Sequence, residues 1–288
     1  MSPSRVTLEH GKPGGKVFQR DSGDRFGTAL LTIDFYGENV SVLTDTKELA
    51  SQICFNFDTM VMDGHFCDES AAADIRVTRD HIPEGAGSEL LAYWSVFSEG
   101  LCRVLADRFV FLHASAIGAA PRGEARESLD APPNGAIFIG PSGCGKTTLA
   151  IAAARLGHLM ISDDVVALEW SSGLIHGVPF PFRPRFEEAR ASLEKITMTH
   201  RPPARKVALL KRAFLLADAS GAQDREPTVV EHLVRATHCP YGEDRTKILA
   251  RVLRAVKGCE FLWLPALPRG DRDLISRRAL LSEKLREL

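Results

Sequence analysis

Three groups of residues carry most of the chemistry open to this chain: His113, the run Gly140-Pro-Ser-Gly-Cys-Gly-Lys-Thr147, and the adjacent pair Asp163-Asp164. The run satisfies G-x-x-x-x-G-K-[ST] in full, with an apolar strand pattern before it and a helical pattern after it. That context is what phosphate binding needs. Gly140, Gly143 and Gly145 let the backbone wrap an anion, so that amide groups from about Gly143 to Thr148 point inward, Ser142 and Cys144 among their neighbours. The helix N-terminus adds partial positive charge. Lys146 bridges the outer phosphates of a bound nucleotide, and the Thr147 hydroxyl is a ligand for Mg²⁺. Cys144 is either a thiol activated by the helix N-terminus or a small filler in the loop.

Asp163 and Asp164 close the apolar run LMIS. Ligand chemistry in α/β sheets collects at the carboxyl ends of strands, so the pair is expected beside the phosphates. One carboxylate suits the metal side, and the other suits proton abstraction from an attacking hydroxyl. Arg183 and Arg185 alternate along an extended, proline-punctuated stretch and would share a side. They read either as phosphate contacts or as a solvated basic edge.

The elements that must position these groups follow from periodicity. TALLTIDFYGENVSVLTD reads as two strands about a turn at Gly37–Asn39, and SQICFNFDTMVMDG as a further strand. Leu90, Leu91, Trp94, Phe97, Leu101 and Leu105 recur at helical spacing. RFVFLHASAIG reads as one strand, hairpin-paired with GAIFIG so that His113 lies beside the strand feeding the glycine-rich run. Lys146 to about Leu156 is a helix capped by Gly157, and VVALEWSSGLIHG is a hairpin turning at Ser171–Gly173. Phe186–Lys195 reads as a short helix and RKVALLKRAFLLAD as one or two edge strands. Two helices, a last apolar strand and an amphipathic tail complete the chain. In the second of those helices Ile248, Leu249, Val252, Leu253 and Val256 are expected inward.

The 288 residues suffice for one large domain or two modest ones. A net charge of -1 provides no bulk field for nucleic acid or an anionic membrane. No apolar run reaches membrane-spanning length, and the opening MSPSRVTLEHGKPGGK has no apolar signal core, so a cytoplasmic location is expected. Six scattered cysteines without a C-x-x-C pair fit free thiols.

The order of these motifs resembles a known family. A strand ending in His (LHASAIG), the GPSGCGKT loop, one helix, Gly157-His158 and a strand ending Ser-Asp-Asp-Val are similar to the catalytic domain of HPr kinase/phosphorylase and its relatives. ATP-dependent phosphoenolpyruvate carboxykinases share a similar nucleotide-binding core. The resemblance runs from about Phe109 to Arg185. It implies an α/β P-loop core with a mixed sheet over residues 106–288; residues 1–105 do not read as that family's usual N-terminal domain and are expected, on size alone, to form a smaller preceding α+β segment. It also implies ATP and Mg²⁺ as cofactors and a homo-oligomer. It makes Asp163 the base that deprotonates an acceptor serine, Asp164 the partner acid near the metal, and His113 a catalytic neighbour of the phosphates beside Lys146. The stretch HGVPFPFRPRF departs from the family, since it has two arginines and lacks the acid of the second glycine-rich signature. The expected activity is phosphorylation of a serine or threonine on a peptide or small protein, without nucleic-acid or membrane partners. A small-molecule hydroxyl kinase and a nucleotide-binding regulator with little turnover are the alternatives.

Overall fold

The computed structural model describes residues 27–57, 60–78, 80, 89–119, 131–179, 207–217, 227–240, 243–264, 279, 281–285 and 288. Arg183, Arg185 and the expected helix at Phe186–Lys195 lie outside the described residues. The chain divides into two compact units, Met1–Asp107 and Arg108–Leu288, and each contains a mixed sheet. Among the described residues no helix is long and apolar enough to cross a membrane.

In the first unit β1 (Ala29–Phe35) and β2 (Glu38–Thr44) pair antiparallel around a two-residue turn. The turn uses Tyr36 and Gly37, both at positive φ, and Asp34 Oδ1 accepts from Gly37 N at 2.6 Å. It therefore falls one residue earlier than the sequence indicates. Positive φ at both central residues matches the twist of a hairpin. The stretch expected to be one strand from Ser51 is divided. Lys47–Asn56 is helix α1, and only Val61–Phe66 is strand, β3. Leu49, Ala50, Ile53 and Cys54 are all buried, the i, i+1, i+4, i+5 spacing of one helix face. β4 (Ile75–Val77) adds in parallel to β2, and α2 (Glu89–Val104) follows.

The strands of the second unit are β5 (Phe109–Leu112), β6 (Ala114–Gly118), β7 (Asn134–Ile139), β8 (Leu159–Ser162), β9 (Val166–Glu169), β10 (Leu174–Gly177), β11 (Val207–Leu216) and β12 (Glu260–Leu264). They form a sheet in the order β5-β9-β10-β11-β7-β6-β8, with β12 alongside β11. The expected single strand RFVFLHASAIG is thus two, broken at His113. Before the break the chain pairs with β9; after it, with β7 and β8. β11 is also not an edge strand. It pairs with β7 on one side and with β10 and β12 on the other, because the sheet must cover a strand whose last four residues are all buried.

Alternation along β7 builds two cores. Ile137 and Ile139 face one layer with Leu233, Ile248 and Val252; Ala136 and Phe138 face the other with Leu149, Ile151, Leu281 and Leu285. Burial on both faces is why this strand reads as an unbroken apolar run. The Phe138 and Phe214 rings stack at 5.3 Å in the second layer. That layer is closed by α3 (Lys146–Arg155), the first by α4 (Val229–Ala236) and α5 (Arg245–Ala255). Ile248 and Val252 on α5 and Val256 just after it are buried as expected, whereas Leu249 is half-buried, Leu253 is 43% exposed and Ala255 takes an inward position.

Candidate active site

β7, α3 and β8 form a crossover in which β6 lies between the two parallel strands and antiparallel to both. This topology brings the site together. Because β6 is reversed, its first residues sit where β7 and β8 end: Ala114 is paired with Ile139, and Ala116 with Ser162. The glycine-rich loop, the aspartate pair and the His113 break therefore share one end of the sheet.

The loop follows β7 directly. Gly143 and Gly145 have φ of 82° and 99°, a region costly for residues with a Cβ, and Gly145 is the N-cap of α3. Gly140 is needed for a different reason. A Cβ there would lie 2.7 Å from Cys144 Sγ and 2.9 Å from Leu216 Cβ. Cys144 thus packs against the start of its own loop. Lys146 is 7% exposed, and its ammonium donates to the carbonyls of Gly140 (2.9 Å) and Pro141 (3.0 Å), which folds the side chain back over the loop. α3 ends in a Schellman motif. Gly157, at φ 96°, donates to Ala154 O, and His158 N donates to Ala153 O.

After β8 the backbone turns sharply. Val165 N donates to Asp163 O at 2.7 Å, and the residue between them, Asp164, has φ 64°. Such a three-residue turn with positive φ is strained for a non-glycine residue, although Asp tolerates it better than most. Ser162 braces it: its hydroxyl donates to Val165 O at 2.6 Å and accepts from Val178 N at 3.0 Å. The consequence is that the two adjacent carboxylates point into different environments.

Asp163 is 5% exposed. Thr147 Oγ1 lies 2.9 and 3.0 Å from its two oxygens, and the Ser115 hydroxyl donates to Oδ1. Burial pushes its pKa up, against the lowering effect of the Ser115 and Thr147 hydrogen bonds. Asp164 is the opposite case, with a side chain 60% exposed. His113 Nδ1 lies 3.1 Å from Asp164 Oδ1 and 3.0 Å from its backbone oxygen. The hydrogen bond from His113 lowers the Asp164 pKa despite partial burial. An ionised carboxylate and a carbonyl both only accept, so Nδ1 carries a proton, and in the neutral ring Nε2 is then the acceptor.

His113 is fixed from the other side by α4. Its backbone N–H donates to Ala236 O at 2.6 Å, and His238 N donates to Phe111 O at 2.8 Å. This pairing with the segment after α4 is what breaks the strand. The His238 ring stands edge-on to His113 at 6.4 Å; burial first, and His113 second, lower its pKa.

The structure therefore joins His113, Lys146, Thr147, Asp163 and Asp164 at one end of the sheet. It gives Thr147 to Asp163, where the resemblance implies Asp164 on the metal side. Sequence reasoning did not single out Ser115 and gave His238 no role. Ser115 stands two residues after His113, the spacing of a shared strand face, and was open to inference; His238 has no local signal.

No family model matches the chain, and no curated protein sequence matches it. Among solved structures it is remotely similar to the Hpr(Ser) kinase/phosphatase from Coxiella burnetii, at 12% identity and a TM-score of 0.30, over 62% of this chain and 92% of that one.

Proposed function

We propose that the chain is an ATP- and Mg²⁺-dependent phosphotransferase that phosphorylates a hydroxyl, the acceptor being a serine or threonine of a peptide or small protein. The observation that carries this reading is the contact of Thr147 Oγ1 with both Asp163 oxygens, with the His113–Asp164 pair at the same sheet end. The residues fit the groups they would hold. Hydroxyl and carboxylate oxygens are hard donors of the kind Mg²⁺ takes alongside substrate phosphates. Among the described residues no group of three His, Cys, Asp or Glu would hold a metal without such help. Two positive-φ glycines and a buried lysine suit a polyphosphate. Bound Mg²⁺ supplies charge compensation for the phosphoryl group.

The protein's own residues then divide the work. Thr147 and Asp163 hold the cation side, and Ser115 orients Asp163. Lys146 leaves the Gly140 and Pro141 carbonyls for the outer phosphates. His113 takes the acceptor's hydroxyl proton on Nε2, while Asp164 fixes the tautomer and stabilises the imidazolium that forms. This exchanges the two aspartates relative to the order the resemblance implies. The raised pKa of Asp163 favours the other division, with Asp163 as base.

The test is transfer from γ-labelled ATP to a peptide pool or host-cell extract, with nucleotide affinity measured in parallel. His113→Gln and Asp164→Asn should each lower transfer about 10²- to 10⁴-fold while leaving ATP affinity intact. Asp163→Asn should instead raise the Mg²⁺ concentration needed for half-maximal rate. Asp163→Asn abolishing transfer at unchanged Mg²⁺ requirement would return the base to Asp163. Tight ATP binding without any phosphorylated product would overturn the phosphotransferase reading.

A further inference from the structure

Beside the loop the second unit holds a cavity of about 250 Å³. Its wall combines Gly140, Pro141 and Ser142 from the loop with His113, and with Pro227, His232, Arg235 and Ala236 at and along α4. None of these is a carboxylate, and Arg235 carries the fixed charge. The carboxylate of Glu231, one turn before Arg235, is held at the start of α4, where it accepts from Thr228 N at 2.7 Å in a capping box. His232 is buried, and its pKa is lowered first by burial and then by Arg235, so it lines the wall as a neutral ring. Among the described residues that line it, this concave site has one guanidinium, a hydroxyl and no carboxylate, a set complementary to an anion.

Position and size narrow the ligand. His113, the proposed base, is part of the cavity wall, so an acceptor group seated there would lie close to the reacting hydroxyl. Its volume falls below the roughly 300–1,000 Å³ usual for whole small-molecule ligands. It has room for a side chain, with the rest of the acceptor outside.

We infer that this cavity is a specificity subsite for an acidic side chain of a peptide acceptor, next to the phosphorylated serine or threonine, with Arg235 as its anionic-group receptor. The inference rests on the phosphotransferase reading and names its substrate class. Arg235 acts on selection of the acceptor and not on the chemistry.

The test uses the full chain and labelled glycine/alanine-based peptides with a central serine, each carrying one glutamate, or the matching glutamine, at a defined flanking position. Transfer and binding are both read, the latter by anisotropy with the central serine replaced by alanine. At the favoured position glutamate should raise kcat/KM about tenfold over glutamine, through KM; each such factor corresponds to about 1.4 kcal/mol. Arg235→Glu should remove that preference and favour lysine there, while kcat at saturating peptide and ATP affinity stay unchanged. Equal use of glutamate and glutamine peptides, or a preference that survives in Arg235→Glu, would overturn the subsite even if transfer is robust. Failure of every peptide to bind would overturn it too. Glutamate-dependent binding lost in Arg235→Glu, with no transfer to any serine peptide, would keep the subsite and overturn the phosphotransferase reading.

Discussion

Asp163 and Asp164 are neighbours in sequence with opposite electrostatics. Asp163 is buried and its pKa is raised, so its folded-state value lies above the unfolded one. Its favourable contribution is present below the unfolded pKa and is lost as pH rises through the folded pKa; at neutral pH the carboxylate is a liability. Asp163→Asn should therefore stabilise the protein at neutral pH, by about 1 kcal/mol, even as it damages the proposed metal side. Thermal melts from neutral pH downward check this: the gain should shrink towards about pH 4, where carboxylates take up protons in the unfolded chain. Asp164 has the reverse sign. Its lowered pKa gives stability above the unfolded pKa that is lost as pH falls through the folded one, and at 60% exposure Asp164→Asn should cost no more than about 1 kcal/mol at neutral pH. A variant pair whose melts shift in the same direction at neutral pH would contradict this division. The adjacency of the two acids was legible in the sequence, and so was their place at a strand end. Which of them faces Thr147 was not, because that depends on the positive φ of Asp164, a property of the turn braced by Ser162.

At the scale of elements, the strand–loop–helix unit was legible because each part has its own local signal: an apolar run in β7, glycines in the loop, and Gly157 at the α3 terminus. Two errors share a cause. RFVFLHASAIG has the composition of one strand, but a long-range hydrogen bond from His113 N to Ala236 O divides it. β11 carries Lys211 and Arg212, which read as an edge, yet Arg212 Nε is satisfied by Glu260 at 2.7 Å within the sheet. Periodicity sees neither partner, since both lie far away in the chain. The same crowding makes a prediction for Gly140. It follows β7 beside Leu216, the last residue of β11, and an added Cβ would approach not only a thiol but also Leu216 O at 3.0 Å, which is backbone and cannot swing away. Gly140→Ala should destabilise the fold by about 1–3 kcal/mol, the range for overpacking, and weaken nucleotide binding with it. Denaturant unfolding with a lowered midpoint and an unchanged slope would show it. A wild-type midpoint would mean that β11 gives way without cost.

On the scale of the whole molecule, every residue assigned to the site or to the acceptor subsite lies in the unit from Arg108 to Leu288. Among the described residues the two apolar clusters that cover its sheet are drawn from that unit, while Leu31, Ile33, Val40, Ile53 and Phe57 are buried in the first. Composition marks no such boundary, since charged and apolar residues continue across Asp107–Arg108; the break shows in which strands pair. A fragment of residues 108–288 should therefore unfold cooperatively and bind ATP with Mg²⁺ within about twofold of the full chain, a difference under about 0.5 kcal/mol. If the first unit contributes acceptor affinity, the fragment should keep kcat for a short acidic peptide and lose KM only for the full-length acceptor. Isothermal titration with ATP, followed by peptide and protein transfer assays on the same preparation, separates these outcomes. A folded fragment whose ATP affinity falls by tenfold or more would place part of the nucleotide site in the first unit, and the assignment of the whole site to the β6–β7–β8 end would then be wrong.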